Sequence, residues 1–302
     1  MQIGIDLGGS HIAVAVISKR NLVVAKREKN IENSENIFDI KQYIVDNIKK
    51  LITQVLKDIG APSCVISKIG ISAPGKIKNN IIYDMYNLGI KEFSLVQILS
   101  EHYGVEVVVR NDAKCAALVE KKIGNLKDYD DCVFLCLGTG IGGATFINGR
   151  MLEYTKEWGS EYGHMIIQKN GIECKCGNKG CFEKYASMKA FKSGIINLLN
   201  LDSNISSEDI LEILLNRVNE KDREISKYID EYIENLIIGI SNIINILGPE
   251  AICIGGSFVY YEKILYTKLL EKMNLKNYNG VKPKILLAKT QNDAGMIGAL
   301  IN

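Results

Sequence analysis

The segment 157–187, EWGSEYGHMIIQKNGIECKCGNKGCFEKYAS, concentrates side chains that bind metals or act as acids and bases. Its histidine and three cysteines, His164, Cys174, Cys176 and Cys181, follow the spacing H-x9-C-x-C-x4-C. Four ligands this close together can surround Zn²⁺ as a tetrahedron, and a site closed by four protein ligands is structural and not catalytic. The segment therefore predicts a zinc site that holds a loop in shape.

Two other interpretations of these cysteines are open at this stage. If these cysteines formed disulfides with one another, one of the three would stay unpaired. A zinc-ribbon nucleic-acid module usually brings two C-x2-C pairs among basic residues, and Lys175, Lys179 and Lys184 are few for that role. The other cysteines considered stand singly in apolar surroundings, which is typical of free thiols in a reducing compartment and predicts a cytoplasmic protein: Cys64, Cys115, Cys132, Cys136 and Cys253.

Two glutamates of the same segment would be held by such a loop. Glu161 lies between Gly159 and Gly163, and Glu183 stands two residues after the last cysteine, whereas Glu157 lies outside this glycine frame. Carboxylates fixed in a polar pocket can accept hydrogen bonds from sugar hydroxyls. The alternative is that both are solvated surface acids, as most glutamates are.

Two glycine turns repeat each other along the chain. The segment GIDLGGSHIAVAVI (4–17) aligns without gaps on FLCLGTGIGGATFI (134–147), with Gly8 on Gly138. Glycine turns between strands let successive backbone N–H groups surround a phosphate, because no Cβ intervenes. The repeat predicts two related lobes with a phosphate-binding turn in each, the alternative for either turn being a plain hairpin.

The second turn also satisfies the dinucleotide pattern G-x-G-x-x-G at Gly138, Gly140 and Gly143. That pattern binds a dinucleotide only where it opens a helix that faces the pyrophosphate. Here ATFINGRM (144–151) reads as a β-hairpin, with Asn-Gly as its tight turn. A nicotinamide-dependent oxidoreductase is therefore disfavoured, and a strand directly after Gly143 would exclude it.

Two aspartates stand where strands end. Asp6 interrupts an apolar strand, where it could cap the adjacent turn or face the hydrated magnesium of a nucleotide. Asp112 follows Asn111 at a strand-to-helix junction, where it could be the helix N-cap. If the glycine turns hold ATP, Asp112 is instead the general base that deprotonates a sugar hydroxyl as it attacks the γ-phosphate.

Strands and helices must position these residues. Residues 2–7, 12–17 and 21–29 predict an antiparallel meander, and apolar spacing from Ile37 to Ile59 predicts an amphipathic helix. The later predicted elements are strands at 68–72, 106–111, 251–256 and 284–289, a loop at 73–80, a helix at 113–122, a helical region at 188–248, a helix at 260–273 and a last helix after Asp293.

Composition limits the class of protein. The chain has 302 residues, 47% of them hydrophobic and 24% charged, which predicts an ordinary globular protein. Its net charge of +2 gives no strong electrostatic field that would attract nucleic acid or a membrane. The N-terminus lacks the basic leader of a signal peptide. The apolar segment 235–248 is shorter than the roughly 20 residues that a membrane-spanning helix needs. We expect neither a nucleic-acid nor a membrane partner.

Taken together, these motifs resemble the ROK family of repressors, open reading frames and sugar kinases along essentially the whole chain. The zinc and glutamate segment is the most specific part of the likeness. The segments that carry it are DLGGS (6–10), APG (73–75), NDA (111–113), LGTGIGG (137–143), GSEYGH (159–164) and CKCGNKGCFEKYAS (174–187).

The resemblance implies an α/β, two-lobed, actin-like ATPase fold of the ribonuclease H-like kind that sugar kinases, Hsp70 and actin share. The smaller N-terminal lobe would comprise 1–112 plus 290–302, and the larger C-terminal lobe 113–289 with the zinc loop 164–181. Many relatives are homodimers, so we expect a homodimer.

The resemblance also implies a reaction, in which a sugar hydroxyl, usually O6, attacks Mg-ATP with Asp112 as the base, while His164 and the three cysteines hold zinc. The residues implied to line the sugar are Gly75, Asn87, Asn111, Asp112, Glu161, His164 and Glu183. Those implied to bind the nucleotide are Asp6, Gly8, Gly9, Ser10, Gly138, Thr139, Gly140, Gly142, Gly143, Gly255 and Gly256.

Some positions depart from the family pattern. Where the first turn commonly continues Thr-Lys, this chain has Ser10-His11, so no lysine reaches the phosphate there. Members that phosphorylate glucose often have a tryptophan after the asparagine loop, where this chain has Ile90 and Phe93, which keeps N-acetylmannosamine and N-acetylglucosamine open as substrates. The repressor branch carries an N-terminal helix-turn-helix, whereas the first strand here begins at Gln2, so we expect no DNA binding. A non-catalytic sugar-sensing regulator is the alternative of another class.

Overall fold

The computed structural model describes residues 1–31, 39–62, 65–153, 159–273, 280, 282–290 and 293–301. Cys64, Glu157 and the predicted helix start at Ile37 lie outside these residues. The chain divides into two compact units, one of residues 1–123 with 290–302 and one of residues 124–289. Each of the seven described cysteines is free, so the disulfide interpretation is wrong for them.

The N-terminal unit contains a mixed sheet in the order β3-β2-β1-β4-β8 and a small sheet in the order β5-β6-β7. The predicted meander is confirmed, because β1, β2 and β3 pair antiparallel, while β1, β4 and β8 run parallel. The strands are β1 (Gln2–Leu7), β2 (His11–Ile17), β3 (Val23–Asn30), β4 (Lys68–Ala73), β5 (Lys76–Lys78), β6 (Ile81–Met85), β7 (Ile90–Phe93) and β8 (Glu106–Asn111).

The loop predicted at 73–80 is wrong, because β5 and β6 form a hairpin there. Asn79 and Asn80 both adopt positive φ, 50° and 61°, as a two-residue hairpin turn requires. Helices α1 (Ile40–Asp58), α2 (Leu95–Tyr103) and α3 (Asp112–Lys122) accompany the sheets. The predicted amphipathic helix is confirmed in α1, whose buried residues include Ile44, Ile48 and Leu51.

The C-terminal unit repeats the plan of the first sheet, in the order β11-β10-β9-β12-β13. Three strands again pair antiparallel, and β9, β12 and β13 again run parallel, so the predicted duplication is confirmed. The tight turn at Asn148 and Gly149 is also confirmed by their φ values of 52° and 73°. The strands are β9 (Cys132–Leu137), β10 (Ile141–Ile147), β11 (Arg150–Met151), β12 (Ala251–Gly255) and β13 (Lys284–Leu287).

Helices α4 (Glu183–Ala186), α5 (Met188–Leu199), α6 (Ser207–Asn219), α7 (Arg223–Leu247) and α8 (Thr267–Lys272) complete this unit. The single helix predicted at 260–273 is wrong in its first part, where a 3₁₀ turn at Gly256–Tyr261 and a π turn at Glu262–Tyr266 precede α8. Among the described helices, none combines the length and apolar character needed to cross a membrane.

The last helix, α9 (Ala294–Gly298), packs on β1 and β4 and against α3 in the N-terminal unit. The guanidinium of Arg110 on β8 donates to the carbonyl oxygens of Gly298 and Ala299, at 3.4 and 3.3 Å. These hydrogen bonds tie the end of α9 to β8, and the packing of α3 on α9 places α3 in the same unit. The sequence prediction had residues 113–122 in the C-terminal lobe instead.

Candidate active site

In the N-terminal unit, the carboxyl ends of three parallel strands gather the predicted acids. Asp6 on β1 pairs in register with Ser72 on β4, and Ala73 pairs with Asn111 on β8. The side chains that follow neighbouring parallel strands emerge at one edge of the sheet, which is where open α/β sheets bind ligands. Asp6, Gly75, Asn111 and Asp112 therefore share this edge.

The first glycine turn joins β1 to β2. The Gly8 N–H donates to the His11 carbonyl at 2.9 Å, which closes the turn. A β-carbon built on Gly9 would lie 2.8 Å from Nδ2 of Asn87, so the Asn87 side chain rests against the turn. Ser10 at the tip is exposed. The structure thus brings the predicted nucleotide residues of this turn together with one predicted sugar residue.

Sequence reasoning missed the partner of Asp6. Nε2 of His11 lies 3.5 Å from Oδ2 of Asp6, and the imidazole covers Gly8. The hydrogen bond with Asp6 raises the pKa of His11, against the opposing effect of burial. A signal was present, since residues that flank a tight turn on paired strands lie close together.

Asn111 is the N-cap of α3, so the interpretation of Asp112 as that cap is wrong. The side-chain oxygen of Asn111 accepts from the N–H groups of Ala113 and Lys114 at 3.1 and 3.4 Å. Its amide nitrogen donates to the Gly75 carbonyl at 3.2 Å, which ties the 73–75 loop to the helix start. Asp112 follows as the first helical residue and accepts from the Ala113 N–H at 2.8 Å.

The surroundings of the Asp112 carboxyl raise its pKa above that of an ordinary aspartate. Its side chain has solvent access, yet the surrounding protein reduces the hydration of the charged form and raises the pKa to about 6. The hydrogen bond from Ala113 opposes this shift, and the negative charge of Asp6 adds to it. A carboxylate with such a pKa is ionised at neutral pH and can still accept a proton.

In the C-terminal unit, the second glycine turn joins β9 to β10. The Gly138 N–H donates to the Gly140 carbonyl at 3.0 Å, and the Lys189 N–H donates to the Gly138 carbonyl at 3.1 Å. Thr139 at the tip is exposed. Because β10 begins at Ile141, no helix follows the glycines, and the oxidoreductase interpretation is excluded.

The remaining predicted nucleotide residues of this unit lie beside the same turn. Gly142 and Gly143 stand on β10, and Gly255 pairs with Cys136 on the neighbouring strand β9. Gly256 has a φ of +73°, and a β-carbon there would lie 2.4 Å from the Leu137 carbonyl oxygen. The backbone of the 255–256 segment thus packs directly on the base of the turn.

The predicted metal ligands converge. The ligand atoms of His164, Cys174, Cys176 and Cys181 all lie within 4.8 Å of one another. The Sγ atoms of Cys176 and Cys181 are 3.5 Å apart, and Sγ of Cys174 is 3.7 Å from Nδ1 of His164. Tetrahedral zinc with Zn–S bonds near 2.3 Å separates its sulfurs by about 3.8 Å, so this donor set fits zinc.

The backbone fixes the loop around this cluster. The Cys174 N–H donates to the Asn178 carbonyl at 2.8 Å, and the Phe182 N–H donates to the Met165 carbonyl at 2.7 Å. Glu183 begins α4, and its Oε1 accepts from Sγ of Cys174 at 3.3 Å. A β-carbon on Gly140 would lie 2.6 Å from Oε2 of Glu183. Glu183 thus lies between the cysteine cluster and the second glycine turn.

Glu161 is exposed and directly precedes a 3₁₀ turn, Tyr162–His164. The His164 N–H donates to the Glu161 carbonyl at 3.0 Å, so the acid and the metal-facing histidine belong to one short turn. Nδ1 is the nitrogen of His164 that faces the thiol of Cys174. Nε2 is therefore the ring nitrogen with which His164 could contact a sugar.

Known proteins resemble the chain over its whole length. The profile described as ROK family matches residues 2–301. The xylose repressor of Bacillus subtilis is 29% identical over 279 residues, which cover 92% of this chain and 69% of that protein. The glucokinase of Thermotoga maritima is 28% identical over 318 residues, which cover 98% of this chain and 95% of that protein.

The crystal structure of the ROK hexokinase from Thermus thermophilus superposes with a TM-score of 0.79 at 22% identity, covering 99% of this chain and 96% of that chain. This likeness shows the fold, and the predicted actin-like, two-lobed sugar-kinase fold is confirmed. A repressor and a glucokinase both stand among the relatives, so the activity must be argued from the site.

Proposed function

Since this chain belongs to the ROK family, we propose that it is an ATP-dependent sugar kinase. Its substrate is a hexose or an N-acylated hexosamine, with a glucokinase-like reaction at O6 as the first choice and N-acetylmannosamine or N-acetylglucosamine as the alternative. The observation that carries this proposal is the position of Asp112, an acid that directly follows β8 at the sheet edge to which Asp6 also belongs. The rise of its pKa to about 6 agrees with the role of a base.

The reaction follows from the roles of these residues. Asp112 takes the proton from the sugar hydroxyl, whose oxygen forms a bond to the γ-phosphorus. The bond from that phosphorus to the bridging oxygen breaks, and ADP leaves. Asp6, a carboxylate at the first glycine turn, would face the hydrated magnesium bound with the nucleotide, which would neutralise charge on the phosphates.

Backbone amides bind the nucleotide in this proposal. The turns Gly8–Ser10 and Gly138–Gly140 occupy equivalent places in two duplicated hairpins, and exposed hydroxyls stand at both tips. The N–H groups of Gly8 and Gly138 close the turns, so the N–H groups of the residues that follow them are the ones proposed to face phosphate oxygens, with only small side chains nearby. The glycines at 142, 143, 255 and 256 keep bulky side chains away from the second turn.

The residues proposed to recognise the sugar are Gly75, Asn87, Asn111, Glu161, His164 and Glu183. Glu183 and His164 each contact the cysteine cluster. Zinc would therefore orient two residues that bind the sugar, without taking part in the chemistry. This places the metal in a structural role.

A second candidate, a sugar-sensing regulator without turnover, is favoured by the likeness to the xylose repressor. A coupled assay of ADP release across glucose, mannose, N-acetylglucosamine and N-acetylmannosamine separates the two. The proposal expects sugar-dependent ADP release with at least one of them at a kcat of about 1–10³ s⁻¹. Sugar binding without ADP release for any of them would favour the regulator.

The raised pKa of Asp112 predicts the acid side of the pH profile. Above about pH 7 the carboxylate is ionised and kcat/KM should be constant; below its pKa of about 6 the base is protonated, and kcat/KM should fall by about tenfold per pH unit. Steady-state rates across this range test the prediction. His11→Gln should show the same fall of kcat/KM at acid pH, because the group that titrates is Asp112 and not His11. A profile that stays flat to about pH 5 would contradict this assignment.

A further inference from the structure

The turn that presents Glu161 rests on strand β10, the strand that leaves the second glycine turn. A β-carbon built on Gly163 would lie 2.4 Å from the Ile141 carbonyl oxygen, and one on Gly143 would lie 3.0 Å from Cδ2 of Tyr162. These distances leave no room for side chains, so loop and strand are in direct contact. Ile141, Gly143 and Thr145 are every second residue of β10, so they lie on the same face of the strand.

A cluster of three hydroxyl groups completes this contact. Oγ1 of Thr145 lies 2.9 Å from Oγ of Ser160 and also forms a short hydrogen bond with the Tyr162 hydroxyl. Thr145 is 2% exposed and Tyr162 8%, so the bond between their hydroxyls is shielded from water. Ser160 and Tyr162 are the two neighbours of Glu161, and Ser160 has a positive φ of 59°, which a non-glycine residue holds only when its surroundings enforce it.

We propose that Thr145 is a positioning residue that fixes the Glu161 carboxylate by holding the residues on either side of it. One buried hydroxyl thereby connects the strand of the second glycine turn to the acidic turn at 161. We expect the effect of Thr145 on substrate binding to fall on the sugar, because two hydrogen-bond partners of its hydroxyl, Ser160 and Tyr162, flank Glu161. This part rests on the proposed role of Glu161 as a sugar ligand.

Thr145→Val tests the proposal, because valine keeps the shape of threonine and removes the hydroxyl. In the unliganded protein, hydrogen–deuterium exchange of residues 159–165 should become about tenfold faster, since the local opening costs less free energy. In the kinase assay, the KM for the sugar should rise about tenfold while the KM for ATP stays within about twofold. Thr145→Ser, which keeps the hydroxyl, should restore both values.

Two further variants separate positioning from general damage. Tyr162→Phe removes another hydroxyl of the cluster, and it should also speed exchange at 159–165, because it breaks the bond between Thr145 and Tyr162. Tyr261→Phe is the matched control, since it removes a buried hydroxyl that donates to the Ser207 carbonyl at 3.2 Å in the same unit. It should leave exchange at 159–165 unchanged.

Unchanged exchange at 159–165 in Thr145→Val would overturn the proposal. So would faster exchange with an unaltered sugar KM, or a KM for ATP that rises as much as that for sugar. The exchange measurement does not need turnover, so it decides whether Thr145 holds the turn even if the chain phosphorylates no sugar. In that case the proposed kinase function fails separately.

Discussion

Asp112→Asn should lower kcat by a factor of about 10²–10⁴, the range expected when a positioned general base is lost. Asparagine keeps the shape of aspartate, and its side-chain oxygen can still accept from the Ala113 N–H, a bond of 2.8 Å in the native chain. It cannot take the proton of the sugar hydroxyl. Titration calorimetry should find ATP affinity unchanged, because Asp112 is not among the residues assigned to the nucleotide.

Asp39→Asn is the matched control for this change. Asp39 also stands at a helix start in the same unit, where its side chain accepts from the Gln42 N–H at 3.1 Å. Asparagine is an equally good N-cap, so both stability and kcat should stay close to the wild-type values. Near-normal turnover by Asp112→Asn would remove Asp112 from the mechanism, whatever the control shows.

Loss of zinc has the second largest expected effect. Protein purified without chelator should carry one zinc per chain, and Cys181→Ser should lose it, because one of four ligands is replaced by a poorer one. The KM for the sugar should then rise by about 10–100-fold, since Glu183 and His164 lose the frame that orients them. Metal analysis and sugar kinetics of the same preparations measure both effects.

Cys132→Ser is the control for the loss of a thiol. Cys132 begins β9 outside the metal cluster, and its thiol donates to the Tyr129 carbonyl at 3.4 Å, a bond that serine can also make. Zinc content and sugar KM should stay unchanged in this variant. A wild-type protein that contains no zinc would contradict the metal assignment, and an unaltered sugar KM in zinc-free Cys181→Ser would contradict the orienting role.

The parts of the fold that follow local patterns were predicted from the sequence. The strand pairs around the two glycine turns follow from alternating apolar residues and from the turn residues between them. The apolar face of α1 follows from the helical spacing of its apolar residues. The hairpin of β5 and β6 is not evident from the sequence, because Asn79 and Asn80 occur in loops as well as in tight hairpin turns and the strands beside them are short. The 3₁₀ and π turns at 256–266 were missed because their apolar spacing resembles that of an α-helix.

The residue types of the site were predictable, but their contacts were not. Spacing alone indicated the four metal ligands, since they lie close together in the sequence. The cap formed by Asn111, the pairing of His11 with Asp6 and the contact of Thr145 with the Glu161 turn depend on tertiary packing. Such contacts join residues across strands and loops, where a one-dimensional pattern carries little information.

The most direct test of the account is to identify the product. Phosphorus NMR of the wild-type chain with Mg-ATP and its best acceptor sugar should show a sugar phosphomonoester that grows in equal amount with ADP, and Asp112→Asn should form it about 10²–10⁴-fold more slowly. ADP accompanied only by inorganic phosphate, or no ATP consumption with any sugar of the panel, would contradict the central claim that this chain transfers a phosphoryl group to a sugar hydroxyl.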